Sequence, residues 1–307
     1  MKAAFIRRFG PPEVFEYGAL PDPVPAAGEV LVDIHAASVN AADWKMRSGQ
    51  YGPKIEFPHI PGRDFSGVVA ALGKGAGDFK PGDAVFGVCE VPREGAYAEK
   101  IAIRQDIVAR KPEALTHVQC AAIGLIGLTA LVSIEDTLKL RSGETILIQG
   151  GAGGVAGFAI ALANHLGAHV LTTTSAANRD YVRALGADEI IDYRAQDFTR
   201  LVSNVDAVFD TVGDDVTSRS FRVLRPGGRL ASVAAGASVP PSPRADVTSL
   251  RPKVGRDRPH LERVASLVAQ GIVPLPSITE FPLSDAAGAH RVSEARHLRG
   301  KLVLRVR

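Results

Sequence analysis

The chain predicts an α/β protein of two domains, a doubly wound parallel sheet and a β-rich domain. Three observations carry this. The length of 307 residues suits about two domains, each with its own core. Residues 1 to 115 hold short runs of alternating polarity punctuated by glycine and proline. From residue 142 onward apolar strands alternate with helices, the pattern of a parallel sheet covered on both faces.

In the first stretch the strands are KAAFI, VFEYGAL, EVLVDIHAASV, SGVVAAL, DAVFGVCE and AYAEKIAI. Turn signals such as Pro11-Pro12 and Lys80-Pro81-Gly82-Asp83 separate them. Residues 40–47 (NAADWKMR) lack alternation and carry helix formers, which predicts a short helix between strands. The segment after Thr116, HVQCAAIGLIGLTALVSIEDTL, is too apolar for a surface helix and predicts a buried one leading into the second domain. There the expected strands are 145–149, 169–174, 189–191, 205–210 and 228–234, with helices over 155–166, 179–185 and 216–224. Residues 236–259, rich in proline, serine and arginine, read as loop around one strand, 247–254. An amphipathic helix over 260–270, a helix over 285–297 capped by Ser284, and a terminal strand KLVLRVR complete the prediction.

A net charge of +3 with no basic run among aromatics gives no support to nucleic-acid binding. Met1 leads directly into an alternating strand, and no uninterrupted run of 18 apolar residues follows anywhere, so no membrane association and a cytoplasmic location are expected. Cys89 and Cys120 are too few for a disulfide framework and read as buried small hydrophobes rather than reactive thiols.

The most informative stretch is TILIQGGAGGVAGFAIALANHLGAHVLTTTS, residues 145–175. It reads as strand, glycine turn, helix and strand, opening with G-x-G-x-x-A at Gly151, Gly153 and Ala156. In that context the turn suits a pyrophosphate, brought close to backbone N–H groups at a helix N-terminus. Dinucleotide sites for NAD place an acidic residue about 20 positions later to hold the ribose hydroxyls. Here Thr174 stands 21 positions past Gly153, followed by Ser175, Asn178 and Arg179. Hydroxyls and a guanidinium suit a 2′-phosphate, so NADPH (NADP) is the expected cofactor. The alternative reading of Arg179 is a solvated residue in the next helix's first turn.

The order of domains, with a return to β-structure at the end, resembles the medium-chain dehydrogenase/reductase superfamily over nearly the whole chain. VNAADWKMRSG (39–49), PGRDFSGVV (61–69), GGAGGVAGFAI (150–160), VFDTVG (208–213), LRPGGRL (224–230) and FPLSDAAGAH (281–290) sharpen the resemblance to its zinc-free quinone oxidoreductase (zeta-crystallin-like) branch. Ala156 and Ala161 depart from it, standing where glycine and often glutamine are usual. The resemblance implies a GroES-like partial barrel over 1–115 and 272–307 and a Rossmann NADP-binding domain over 116–271. It implies cofactor contacts from Thr129, Gly151, Gly153, Gly154, Val155, Thr174, Ser175, Arg179, Tyr193 and Val212. Tyr193 is equally readable as an ordinary rim residue.

Zinc-dependent relatives carry a cysteine where this chain has Asn40, and a His-Glu pair where it has Arg63-Asp64. Arginine stays protonated and cannot ligate zinc, so no catalytic metal is expected. His35, His59, His117 and His165 show no partner set in the sequence. Arg63 and Asp64 read as a structural ion pair or as a polar wall of the pocket. The resemblance places Asn40 and Asp43 beside the nicotinamide, with Trp44 and Lys45 shaping substrate choice. Asn40 has the donor and acceptor to orient a carbonyl, whereas Asp43 and Arg47 are spaced to form an i, i+4 pair that only holds the helix.

Together these features imply hydride transfer from NADPH to a quinone or an α,β-unsaturated carbonyl compound. An enoyl-thioester reductase and a catalytically silent NADPH-binding sensor are the alternatives. The family further implies a homodimer joined through the Rossmann-sheet edge, near residues 247–254.

Overall fold

A computed structural model describes residues 1–50, 54–234, 239–296 and 298–307. The chain runs through β1 (Lys2–Ile6), β2 (Phe15–Ala19), β3 (Glu29–Val39), α1 (Ala41–Arg47), β4 (Asp64–Leu72), β5 (Ala84–Val88), β6 (Lys100–Arg104), β7 (Val108–Arg110) and α2 (His117–Leu131). Next come β8 (Thr145–Gln149), α3 (Gly154–His165), β9 (His169–Thr174), α4 (Arg179–Ala184), β10 (Glu189–Asp192), α5 (Phe198–Leu201), β11 (Val205–Asp210), α6 (Asp215–Ser220), β12 (Leu224–Ser232) and β13 (Thr248–Leu250). It closes with α7 (Arg258–Ala269), β14 (Ile278–Pro282), α8 (Ala286–Glu294) and β15 (Lys301–Arg305).

Two compact units result: Met1–Leu125 with Arg256–Ala269 and Ser277–Arg307, and Ile126–Gly255 with Gln270–Pro276. The division falls inside α2 and groups α7 with the first unit. In that unit a seven-stranded sheet runs β14-β15-β3-β4-β5-β7, with β6 also paired to β3, and β1 and β2 form a separate hairpin. The long β3 carries it: β4 pairs along most of its length, over residues 30–38, while β6 and β15 pair with its first and last parts, 29–33 and 36–39. Val32, Ile34, Phe65, Val85, Leu302 and Leu304 centre the core here.

The second unit holds six parallel strands in the order β10-β9-β8-β11-β12-β13. Numbered within the sheet this is 3-2-1-4-5-6, the Rossmann order, whose reversal beside β8 is where dinucleotides bind. The apolar runs of β8, β9 and β11 are buried on both faces, as a parallel sheet between helices requires.

Several sequence expectations change in detail. The strand expected over 247–254 is only the three residues of β13, with Val247 in the core beneath it. Ser284 lies in a 3-10 turn; the cap of α8 is Asp285, whose carboxylate accepts from the Gly288 N–H at 3.0 Å. An acidic cap at that point also favours the helix dipole. The helix ends at Glu294, and position 297 lies outside the described residues, as do 236–238 of the loop. One helical run, His117–Thr137, is long and apolar enough to cross a membrane by length and composition; most of it is buried within the fold.

Candidate functional site

In the second unit the turn after β8 is shaped by glycines with separate tasks. Gly150 takes a left-handed φ of 80°, and a Cβ there would meet Val212 Cγ2 at 3.0 Å, so Val212 lies against the turn. Gly151 is required for packing, since a Cβ would sit 2.3 Å from Thr172 Oγ1 on β9. Its N–H is already committed to Thr173 O at 2.9 Å, and that of Gly153 to Gly150 O at 3.0 Å. The donors left include those of Gly154, Val155 and Ala156, the first turn of α3, which have no intrahelical acceptor. Ala156 is fully buried, consistent with the close helix-to-strand packing that the third position of the fingerprint serves.

The walls around the turn are built by buried polar groups. Gln149 accepts from Thr173 Oγ1 at 2.6 Å and donates to Ser220 Oγ at 3.1 Å. Asp210, from the VFDTVG stretch, accepts from the Val212 N–H at 2.8 Å, the Gly213 N–H at 3.1 Å and the hydroxyls of Thr217 and Ser232. It fixes the loop after β11 that carries half-exposed Val212. At the end of β9, Thr174 is buried and its carbonyl accepts from Tyr193 N at 3.1 Å, which sets Tyr193 beside Thr174 and Ser175. Tyr193 is exposed with the Arg194 guanidinium over its ring, and Arg179 is exposed at the start of α4. Thr129 is half-buried on α2, one residue pair before that helix loosens into a π-helical segment, Val132–Thr137.

The first unit contains a buried polar network that is more extensive than the sequence suggests. Asn40 caps α1 and Asp43 accepts from the Asn40 N–H at 2.8 Å, so the pair begins the helix as a reciprocal cap. Asp43 and Arg47 do not pair with each other. Arg47 is bound by Glu294 and by Gly10 O, and Asp43 is met by Tyr97 OH at 3.0 Å and by Arg63 Nε at 3.9 Å. Arg63 pairs with Glu94 at 2.6 Å, and Glu94 meets His59 at 3.3 Å. Burial, with the Glu94 carboxylate adding to it, pushes Asp43 up to about 7 against the opposing Arg63 guanidinium. Gly62 makes the arrangement possible, because a Cβ on it would stand 2.2 Å from the Tyr97 ring.

Asp64 turns instead toward Asn40. Its carboxylate accepts from Ser38 Oγ and Asn40 Nδ2, both at 2.6 Å, and from the Leu125 N–H at 2.5 Å. Lys301, from β15, is buried and donates to Asn40 Oδ1 at 2.6 Å and Val39 O at 2.7 Å. Sequence reading missed Lys301, Glu94, Tyr97 and His290. Tyr97 OH also lies 3.2 Å from His290 Nε2, and burial pushes that imidazole down to about 3, leaving it neutral. Trp44 lines a hollow with Arg47, Glu294 and Arg296, and Lys45 and Arg296 lie over its ring.

Of the remaining histidines, His35 and His117 find partners. His117 is stacked on His35 at 4.3 Å and touches Ser66 at 2.8 Å, and burial takes it down to about 4; His165 is exposed. Cys89 and Cys120 are fully buried free thiols, and burial raises both, Cys120 to about 12. Among the described residues no group of three or more His, Cys, Asp or Glu is arranged to hold a metal ion.

A Rossmann unit joined to a GroES-like unit defines the medium-chain dehydrogenase/reductase class, and the family comparisons agree. Residues 26–113 match the alcohol dehydrogenase GroES-like domain, and residues 185–304 match the family described as zinc-binding dehydrogenase. The chain is 30% identical to the chloroplast envelope quinone oxidoreductase homolog of Arabidopsis thaliana, over 94% of this chain and 93% of that one. It is 32% identical to the NADPH-dependent alkenal/one oxidoreductase, chloroplastic, of the same plant, over 90% of this chain and 72% of that one. The crystal structure of Escherichia coli quinone oxidoreductase complexed with NADPH superposes with a TM-score of 0.92 at 28% identity, covering 100% of both chains. The chain belongs to the quinone oxidoreductase (zeta-crystallin-like) branch of that superfamily, and it is an oxidoreductase.

Proposed function

We propose that the protein is a zinc-independent, NADPH-dependent reductase of a quinone or an α,β-unsaturated carbonyl compound. The observation that carries this reading is the pairing of a phosphate turn lacking an acidic residue at the end of β9 with a locked amide at Asn40. When bound, NADPH supplies a hydride; the chain's own residues bind, orient and stabilise. The first turn of α3, from Gly154, offers N–H groups and a helix dipole to the pyrophosphate. Val212 and Thr129 border the remainder of the cofactor, and Gly151 and Gly153 shape the turn itself. Thr174, Ser175, Arg179 and Tyr193 receive the adenosine 2′-phosphate, where a carboxylate would repel it.

Conjugation in the acceptor lets the negative charge that develops on reduction spread to its carbonyl oxygen. Asn40 is the donor for that oxygen. Its amide is oriented without ambiguity: only Oδ1 can accept from Lys301, and only Nδ2 can donate to Asp64. A primary amide has two N–H groups, and the second has no partner among the described residues. Asp43, buried beside it, holds α1 in place through the reciprocal cap.

The test is to mix the purified protein with NADPH and a panel of quinones, enals and enones while following cofactor absorbance. Turnover with at least one acceptor is expected, and none with any acceptor overturns the reading. Assembly as a homodimer through the open edge at β13, whose backbone groups need a partner, belongs to the same reading. A mass of one chain by light scattering at micromolar concentration contradicts it.

A further inference from the structure

We infer that Lys301 is a positioning residue for reduction: its buried ammonium fixes the Asn40 amide and cancels the Asp64 carboxylate, so that the free N–H of Asn40 can stabilise an oxyanion on the acceptor. The inference rests on the reading of Asn40 given above.

The geometry confines Lys301 closely. It is 3% exposed, so burial pulls its ammonium below the usual lysine range while the Asp64 and Asp43 carboxylates push it back up, and two of its three donors are used on Asn40 Oδ1 and Val39 O. Its Nζ is 3.8 Å from Asp64 Oδ2, the oxygen that accepts from Asn40 Nδ2. Ammonium, amide and carboxylate thus close a small ring. Asp64 alone would oppose the proposed chemistry, because a buried carboxylate next to the amide repels a second negative charge at short range. It would also draw the amide hydrogens toward itself. An ammonium on the amide oxygen acts the other way, polarising the N–H groups toward better donors, as in any charge-assisted chain of hydrogen bonds. Ser38 Oγ and the Leu125 N–H absorb further charge on Asp64. A Cβ on Gly124 would lie 2.7 Å from Asp64 Oδ1, so the helix approaches that carboxylate only because residue 124 is glycine. The result is a fixed donor with a compensated field, which needs no reorganisation as charge develops.

The nearby charges are accounted for elsewhere. Arg63 is held by Glu94, and Arg47 by Glu294, so neither replaces Lys301 at Asn40.

The experiment compares Lys301→Met, nearly isosteric and uncharged, with Asn40→Ala and with the double variant Lys301→Met/Asp64→Asn, which removes both charges together and serves if the single variant does not fold. Lys301→Met is expected to lower kcat roughly 10- to 100-fold with the KM for NADPH unchanged, less than the roughly 100- to 1000-fold cost of removing an oxyanion donor outright, because the Asn40 amide itself remains. The loss should be larger for a weakly activated enone than for an electron-poor quinone, a dependence that a purely structural role would not produce. The double variant should recover part of the rate. A second readout needs no turnover: 4-nitrophenol, whose phenolate resembles the developing oxyanion, should ionise at a lower pH when bound to the unmodified protein, and this shift should vanish in Lys301→Met. Full activity in Asn40→Ala overturns the functional reading and this inference with it. Impaired Asn40→Ala beside an unimpaired Lys301→Met, or beside an unimpaired double variant that shows no acceptor dependence, overturns the inference alone.

Discussion

The two units hold their polar groups in opposite ways. Around the turn after β8, buried side chains such as Gln149 and Asp210 are spent on backbone and hydroxyl partners, and the groups left free are N–H donors at the start of α3. In the first unit, charged side chains are spent on each other: Arg63 on Glu94, Arg47 on Glu294, and Lys301 beside Asp64. The first pattern leaves a surface ready for an anion. The second costs stability if any one member is removed, because its partner remains buried and charged.

This contrast is open to attack at three places. The largest expected effect is from Gly62→Ala. Its φ of 97° is left-handed and its Cβ would enter the Tyr97 ring, so a loss of about 3 kcal/mol or more is expected. Thermal unfolding followed by circular dichroism measures it, and an unchanged Tm would show that the network yields easily.

Next in size is a pH effect. Asp43 is held near 7 in the folded chain, against about 3.9 for a free aspartate. Between those values the folded state binds the extra proton, so Asp43 lowers stability as pH rises from about 4 to 7. In Asp43→Asn that part of the slope should disappear when Tm is measured across the window; an unaltered slope places its origin in another group. The smallest effect is expected on the other side of the comparison. Arg179→Ala, at an exposed position, should leave Tm unchanged while raising the KM for NADPH about tenfold, the worth of roughly 1.4 kcal/mol of charge-assisted bonding. An equal rise for NADH would remove Arg179 from the 2′-phosphate site.

The same contrast explains what could be read in the sequence. Parallel strands are apolar on both faces, and the glycine turn has a fixed spacing, so the positions of β8 to β11 and the start of α3 were legible, whereas the strand order comes from the pairing in the folded chain. Even there, the engaged N–H of Gly151 and the left-handed Gly150 emerge only from the folded backbone. The network of the first unit was mostly illegible because its members come from distant segments. KLVLRVR reads as an alternating strand, with nothing to say that Lys301 lies inward. Arg63 and Asp64, adjacent in sequence, point to different partners, since successive residues entering a strand face opposite sides. His290 sits within FPLSDAAGAH, whose resemblance to the family located the helix but not the histidine's contact with Tyr97.

The antiparallel pairing of β15 with β3 also sets an order of events during synthesis. The six strands of the parallel sheet lie within residues 145–250 and are all made before the chain reaches α7. The first unit includes β1 from residue 2 yet cannot bring Lys301 to Asn40, 261 positions earlier, until β15 has been translated. On a ribosome β3 therefore emerges before the parallel sheet but is paired with β15 only after that sheet has been made, and during that interval β3 exposes the edge that β15 will cover.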